Sequence, residues 1–261
     1  MKSENQANGY TGKMLDKNSL PFLMDTSSEI PLFRAETFWT KEPETIEWIR
    51  QSLARGTDVG ILVDVGANIG IYSLYASVIN DTVPIIAIEP FLLNHDELVR
   101  NIKANNKENQ IKTLQVALSR KSGSGSLLNT DIRPGSSGAQ INLENLSQGI
   151  QTTVKTGDEI LIPEFSTLKE NSKSVMIKID TDGNELDVLF GFSDTFDRRL
   201  ISTVLIETHL SNRDGIEEFM ISKGFSENRS YLDIVGHSDL RRAEKGNSER
   251  TKVYSLGVKL G

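Results

Sequence analysis

Val63-Asp64-Val65-Gly66-Ala67-Asn68-Ile69-Gly70 (VDVGANIG) is the stretch that decides the fold. It closes a short apolar, β-branched run over residues 60–65 (GILVDV), the pattern of a strand buried on both faces. The glycines then let the backbone turn tightly beneath a ligand before a helix over residues 69–79. The spacing is not that of a dinucleotide fingerprint: G-x-G-x-x-G laid on Gly66 needs glycine at 68 and 71, which are Asn68 and Ile71. The form present is G-x-x-x-G, with an acid, Asp64, two positions before the first glycine. No pyrophosphate is cradled there. A free carboxylate near such a turn is suited to a cationic or zwitterionic ligand end.

Outward from this turn, strand and helix alternate. Residues 84–88 (PIIAI) read as a second buried strand, 92–105 as a helix and 114–118 (LQVAL) as a third strand. Later come a strand over 175–179 (VMIKI), a helix over 185–192, a strand over 203–206 (TVLI) and a helix over 216–223 stopped by Gly224. Residues 231–235 and 253–258 supply two more strands as an antiparallel edge pair. The alternation predicts an α/β, Rossmann-like doubly wound sheet, mainly parallel with an antiparallel edge strand near the C-terminus. The first 30 residues are polar and turn-rich, a loose arm or lid. After them Thr40 is the expected N-cap of a helix with Pro43 one turn in, Ile46, Ile49 and Leu53 on one face, and Gly56 at its end. Residues 1–55 are thus taken as an N-terminal helical arm or lid and 56–261 as the main domain. Residues 119–151 are rich in Ser, Gly and Asn without a sustained period, marking a functional loop or added hairpin.

Composition narrows the function. The chain has 261 residues, 29 Lys+Arg against 36 Asp+Glu, a formal charge of −7 and no cysteine. Zero cysteines excludes a disulfide scaffold, a zinc ribbon and a thiol nucleophile. A pI near 5.2 argues against nucleic acid as the main partner. The opening MKSENQANGYTGK lacks the apolar core of a signal peptide. Residues 59–79 are long enough to span a bilayer, but Gly60, Gly66, Asn68 and Gly70 cluster in their first half, where a strand and turn explain them better. The expectation is a soluble, cytoplasmic protein with no membrane span.

A second acid supports a nucleotide-type ligand. Residues Ile88-Glu89-Pro90-Phe91 place Glu89 at the carboxyl edge of the adjacent strand, where a carboxylate suits capture of two ribose hydroxyls. Phe91 is a candidate to flank an adenine.

These residues resemble motif I and the following acidic strand end of class I S-adenosylmethionine-dependent methyltransferases. The wider set resembles the FkbM family: VDVGANIGIYSLYAS, AIEPF with Asn94 and the helix carrying Asn101 and Asn105, QVALS, Thr156-x-Asp158-Glu159, and MIKIDTDGNELDVLFGF. The resemblance covers roughly residues 32–210. One departure is that the family motif I-D-V-E-G-x-E reads I-D-T-D-G-N-E here, an acid one methylene shorter. The resemblance implies S-adenosylmethionine as cofactor, held by Asp64, Gly66, Asn68, Gly70, Glu89, Pro90, Phe91 and Ala117. It implies O-methyl transfer to a hydroxyl of a sugar, glycan precursor or related natural product.

The reacting end follows from the fold, since ligands sit outside the carboxyl ends of the strands. Asp180, Asp182 and Glu185 follow the fourth main strand; Glu207 and His209 follow the fifth. Methyl transfer to an alcohol needs in-line positioning and removal of the hydroxyl proton. Asp180 is the first choice of base, with His209 or Glu207 close behind. If the strand stays extended, residues 207 and 209 lie on one side of it. His209 is one of three histidines, with His95 and His237. The acids do not form an EF-hand, whose register needs glycine at 185 and glutamate at 191, which are Glu185 and Gly191. Mg2+ on Asp180 with Glu207 stays open, as other O-methyltransferases use strand-end carboxylates. Glu185 also complements a helix N-terminus. Arg133, Ser136, Ser137 and Gln140 are candidates for contacting a polar acceptor; Phe38, Trp39 and Trp48 are assigned to the core. Two alternatives remain, a metal-dependent nucleotide-sugar glycosyltransferase using Asp180-x-Asp182 and a non-catalytic cofactor-binding module.

Overall fold

A computed structural model of the chain describes residues 5–7, 10–17, 19–54, 56–128, 131–228 and 250–256. Three strands, β1 (Asn5–Ala7), β2 (Tyr10–Leu15) and β3 (Phe22–Asp25), form an antiparallel sheet before helices α1 (Glu29–Lys41) and α2 (Pro43–Ser52). The first residues are therefore not a loose arm. Leu15, Phe22 and Met24 are buried with Phe38, Trp48 and Ile49 in the cluster that covers one face of the main sheet. Polar side chains tie down the strands: Tyr10 Oη and the Asp25 N–H donate to Asn101 Oδ1 at 2.5 and 2.9 Å. Asn105 exchanges two bonds of 2.7 Å with the backbone of Leu23. Thr40 is not a cap; it lies in the last turn of α1, its hydroxyl donating to the Thr37 carbonyl. Pro43 starts α2, where a missing N–H costs nothing.

The central sheet takes up β4 (Val59–Val65), β5 (Ile85–Ile88), β6 (Ile111–Leu114), β11 (Ser174–Ile179), β12 (Ile201–Thr208), β13 (Phe225–Glu227) and β14 (Arg250–Leu256). Their spatial order is β13-β14-β12-β11-β4-β5-β6. β6, β5, β4, β11 and β12 are mutually parallel, and β14 runs antiparallel to both β12 and β13. This is the doubly wound α/β architecture. The order reverses between β4 and β11, so the carboxyl ends of these strands bound the crevice where such folds bind ligands. Helices α3 (Ile71–Ile79) and α4 (Leu92–Ala104) cover the same face as the N-terminal elements. Helices α7 (Glu185–Gly191) and α9 (Arg213–Ser222) bury Val188, Leu189, Ile216 and Met220 on the other.

Two strand positions differ from expectation. The third strand is residues 111–114, whose polar alternation suits a partly solvated edge; the apolar run at 114–118 divides, because Leu114 pairs with Ile88 while Ala117 and Leu118 form β7 (Ala117–Leu118) of another sheet. That second sheet, ordered β7-β10-β8-β9, includes β8 (Gly123–Leu128), β9 (Gln140–Asn142) and β10 (Ile150–Lys155), and is built largely from the Ser/Gly/Asn-rich stretch. The expected strand at 231–235, and His237, lie outside the described residues. β13 at 225–227 is the described edge partner of β14. Among the described residues, no helix is long and apolar enough to cross a membrane.

Candidate active site

The glycine turn is held by the strands on either side of it. Gly66 N and Ala67 N both donate to the Ile88 carbonyl at 3.0 Å. Gly66 has φ +77°, and a Cβ there would collide with the Asp180 carbonyl oxygen, so glycine is required where β4 and β11 end together. Asn68 is also left-handed, at φ +50°, a conformation Asn tolerates. Its N–H donates to Glu89 Oε2 at 2.9 Å and its side-chain amide to the Ser136 carbonyl at 2.7 Å. Gly70, at φ +86°, is the N-cap of α3.

Glu89 sits at the carboxyl end of β5 and is 5% exposed. Its Oε1 accepts the Phe91 N–H at 3.0 Å. Burial pushes its carboxyl up to about 7, and the backbone N–H bonds from Phe91 and Asn68 only partly offset this. Phe91 is buried and does not line the adjoining cleft, so its link to the site is its N–H rather than its ring. Pro90 and Ala117 do line that cleft, with Gly66 and Ile88 from the main sheet and Leu127 and Ile141 from the second. The cleft encompasses ≈ 330 Å³ including its open mouth. An apolar slot, a buried acid at the neighbouring strand end and a glycine turn that admits close backbone approach together fit S-adenosylmethionine.

Asp64 is placed otherwise than expected. It is not free at the turn: it is 1% exposed, accepts Ser73 Oγ on Oδ2 at 2.6 Å, and has Lys178 Nζ 3.5 Å from Oδ1. Strand alternation turns it toward α3, away from the cleft, and Lys178 stands directly opposite it on β11. Lys178 was missed by sequence reasoning, although a lysine inside VMIKI was a usable signal. A cation in a central strand needs an internal anion.

A strap over residues 131–138 crosses the turn. Asn94 accepts the Gly135 N–H at 2.7 Å and donates to the Ser136 carbonyl at 3.1 Å. Arg34 of α1 donates to the Gly135 carbonyl at 2.7 Å, and Gly138 N donates to Asp182 Oδ2 at 2.8 Å. Ser136 is buried in the strap; Arg133 is exposed and paired with Asp131 and Glu29, and Ser137 and Gln140 are exposed.

At the strand ends, Glu207 of β12 is among the groups that act on the Asp180 carboxyl. Burial alone would raise the Asp180 carboxyl, but Lys178, Glu207 and Lys41 together hold it well below the usual carboxylate range. Such a carboxylate stays ionised and is a weak base. His209 stands beside another acid. β12 ends at Thr208, and His209 Nε2 lies 3.7 Å from Glu185 Oε1. Glu185 is fully buried and organises the turn after β11. It accepts from the Thr181 and Gly183 N–H groups at 3.2 and 2.8 Å and from Asn212 Nδ2 at 2.6 Å. Thr156 caps α5 (Gly157–Leu161), and Asp158 binds the Asp194 and Thr195 N–H groups, so that motif step is structural.

A divalent ion does not fit these residues. Among those described, no group of three or more His, Asp or Glu could hold a metal ion, and the Lys178 ammonium already sits 3.2 Å from Asp180 Oδ2.

The chain is similar to known methyltransferases. The chain is 28% identical over 189 residues to methyltransferase sdnD of Sordaria araneosa, spanning 63% of this chain and 73% of that one. Among solved structures, it is similar to a methyltransferase FkbM from Methylobacillus flagellatus KT at 17% identity (TM-score 0.45; 87% of this chain and 52% of that chain). It is also similar to a precorrin-6y C5,15-methyltransferase from Geobacter metallireducens GS-15 at 13% identity (TM-score 0.42; 82% and 87%). The model of the methyltransferase FkbM domain matches residues 64–238, from Asp64 of the glycine turn past Asp180 and Glu207, and the chain belongs to that family.

Proposed function

We propose that this methyltransferase is an O-methyltransferase that uses S-adenosylmethionine and acts on a hydroxyl of a sugar, glycan precursor or related natural product. The observation that carries this is the meeting of Gly66 with the Asp180 backbone, which sets the cofactor cleft beside the Asp180–Glu207 carboxyl pair. S-adenosylmethionine, when bound, supplies a methyl group on a sulfonium centre. Glu89 is the residue for its ribose hydroxyls, and the cleft around Ile88, Pro90 and Ala117 takes its adenine. A carboxyl pair then suits an acceptor whose hydroxyl must lose a proton as its oxygen is methylated. We place the acceptor on the side formed by residues 1–55 and the 119–151 insertion, since the 131–138 strap is pinned between α1 and the turn after β11.

Calorimetry with S-adenosylhomocysteine tests the cofactor half: binding is expected, weakened by Glu89→Ala and spared by Asp180→Ala. No binding at millimolar ligand by a folded chain would overturn it. Mass spectrometry of host glycans and secondary metabolites with and without the gene tests the acceptor half, through a difference of one methyl group. A non-catalytic cofactor-binding module would bind the cofactor and leave that comparison unchanged.

A further inference from the structure

The cofactor cleft has two lips, and they are built differently. One is the turn after β11, which contributes Thr181 and Asn184 to the lining. The other is the end of the strap and the strand that follows it, which contribute Ala139 and Ile141. Asp182 stands between the two lining residues of the first lip, and its Oδ2 accepts the Gly138 N–H, next to Ala139, at 2.8 Å. That bond crosses from lip to lip.

The first lip is rigid. Glu185 Oε1 accepts the Thr181 and Gly183 N–H groups on either side of Asp182, and Asn184 Nδ2 donates to the Leu118 carbonyl at 2.8 Å. Asp182 itself is held at φ +56°, a left-handed conformation that Asp tolerates. The second lip is anchored at its far end, where Gly135 and Ser136 are buried under bonds from Arg34, Asn68 and Asn94. Toward the cleft the strap becomes exposed at Ser137 and Gly138. Gly138 has φ +89°, and a Cβ there would meet nothing within 4 Å, so the backbone has room to swing at that point. Beyond it, β9 is an edge strand of the second sheet, paired with β8.

We propose that the Gly138–Asp182 hydrogen bond is a clasp across the cleft mouth, and that Asp182 is a positioning residue which sets how fast the cofactor enters and its product leaves. This rests on the assignment of the cleft to S-adenosylmethionine given above. Closed, the lips keep water from the bound cofactor; open, they free S-adenosylhomocysteine. A clasp present in both the empty and the filled protein raises the barrier in both directions. Its loss therefore speeds entry and exit together and leaves affinity nearly unchanged. A contact that merely holds the bound cofactor acts otherwise, because its loss weakens affinity through exit alone.

Stopped-flow kinetics of S-adenosylhomocysteine binding to the full chain tests this. Asp182→Gly suits the left-handed backbone and removes the acceptor oxygen, whereas Asp182→Asn keeps both features. Asp182→Gly is expected to raise the association and dissociation rate constants together by about fivefold or more, the worth of one hydrogen bond, with Kd within about twofold of wild type. Asp182→Asn should keep both rates within about twofold of wild type. Unmoved rates in a folded Asp182→Gly chain, or a rise in Kd carried by dissociation alone, overturn the proposal. If that variant does not fold, amide exchange of the empty wild type decides. The Gly138 N–H, although exposed, should exchange at least about tenfold more slowly than an unstructured amide, and an unprotected Gly138 overturns the proposal. Wild type that binds no S-adenosylhomocysteine overturns the cofactor reading and this proposal with it, whereas binding with unmoved rates overturns this proposal alone.

Discussion

Gly66 and the carbonyl of Asp180 are packed so closely that no side chain fits between them. The contact welds the end of the first parallel strand to the turn that carries Asp180. Gly66→Ala adds a left-handed alanine, costing about 1–2 kcal/mol, to an overpacked contact costing about 1–3 kcal/mol. A loss of about 2–5 kcal/mol in urea unfolding is expected, together with loss of S-adenosylhomocysteine binding. A loss below about 0.5 kcal/mol would mean that the strand ends part freely.

Glu89 should make cofactor affinity depend on pH. Its carboxyl is raised to about 7, while ribose hydroxyls bind the ionised form. Affinity for S-adenosylhomocysteine should therefore rise by up to roughly tenfold per pH unit below that value and level off above it. Stability runs the opposite way: the folded state holds a proton that the unfolded state has released, so stability falls as pH rises from about 4.3 toward 7. Glu97 is also raised to about 7, by burial and by Asp25, and contributes to that slope. Its partners are Arg100 and Asp25, whereas Glu89 accepts the Asn68 N–H of the glycine turn, so Glu97→Gln should keep the affinity profile and Glu89→Gln abolish it. Calorimetry across pH 5–9 separates the two.

Asn94 holds the strap. Its amide serves both Gly135 N and the Ser136 carbonyl; Asn68 keeps the carbonyl, so Asn94→Ala leaves the Gly135 N–H to find water, at about 1–3 kcal/mol if it stays buried. Amide hydrogen exchange at Gly135 should accelerate while that of Ile177 in β11 does not. Equal acceleration at both would mean that the strap has no local stability of its own.

Glu185 should behave as scaffold rather than catalyst. Burial would raise its carboxyl, but His209 and the Gly183 N–H lower it. A lowered folded value gives stability that is present above the unfolded value of about 4.3 and is lost as pH falls through the folded one. Glu185→Ala should cost about 3 kcal/mol or more near neutral pH, and the difference from wild type should shrink in acid. Urea midpoints that differ equally at every pH would contradict this.

The main sheet was readable because its strands are buried on both faces: GILVDV, PIIAI and VMIKI leave few alternatives once a glycine turn follows the first. Where a strand is half solvated the signal weakened, and residues 111–114 lost to the more apolar LQVAL. Glycine positions and Glu89 were legible because backbone conformation and strand ends confine them. The pairing of acids was not. Whether Asp64 faces the cleft or α3, and whether His209 meets Glu207 or Glu185, depends on strand parity and on where β12 stops. The N-terminal strands were hidden by polar residues whose partners, Asn101 and Asn105, lie far along the chain.

Those partners set the limits of what can be cut from this protein. The family match begins at residue 64, inside β4, whereas Leu15, Phe22, Met24, Phe38 and Trp48 cover the face of the sheet that β4 helps to form. A version trimmed to the recognisable domain would expose that face to water and release Asn101, whose amide also donates to the Ile69 carbonyl within the glycine turn. The evolutionary module and the physical folding unit therefore have different edges, and any chimera that exchanges methyltransferase domains has to be spliced upstream of Tyr10.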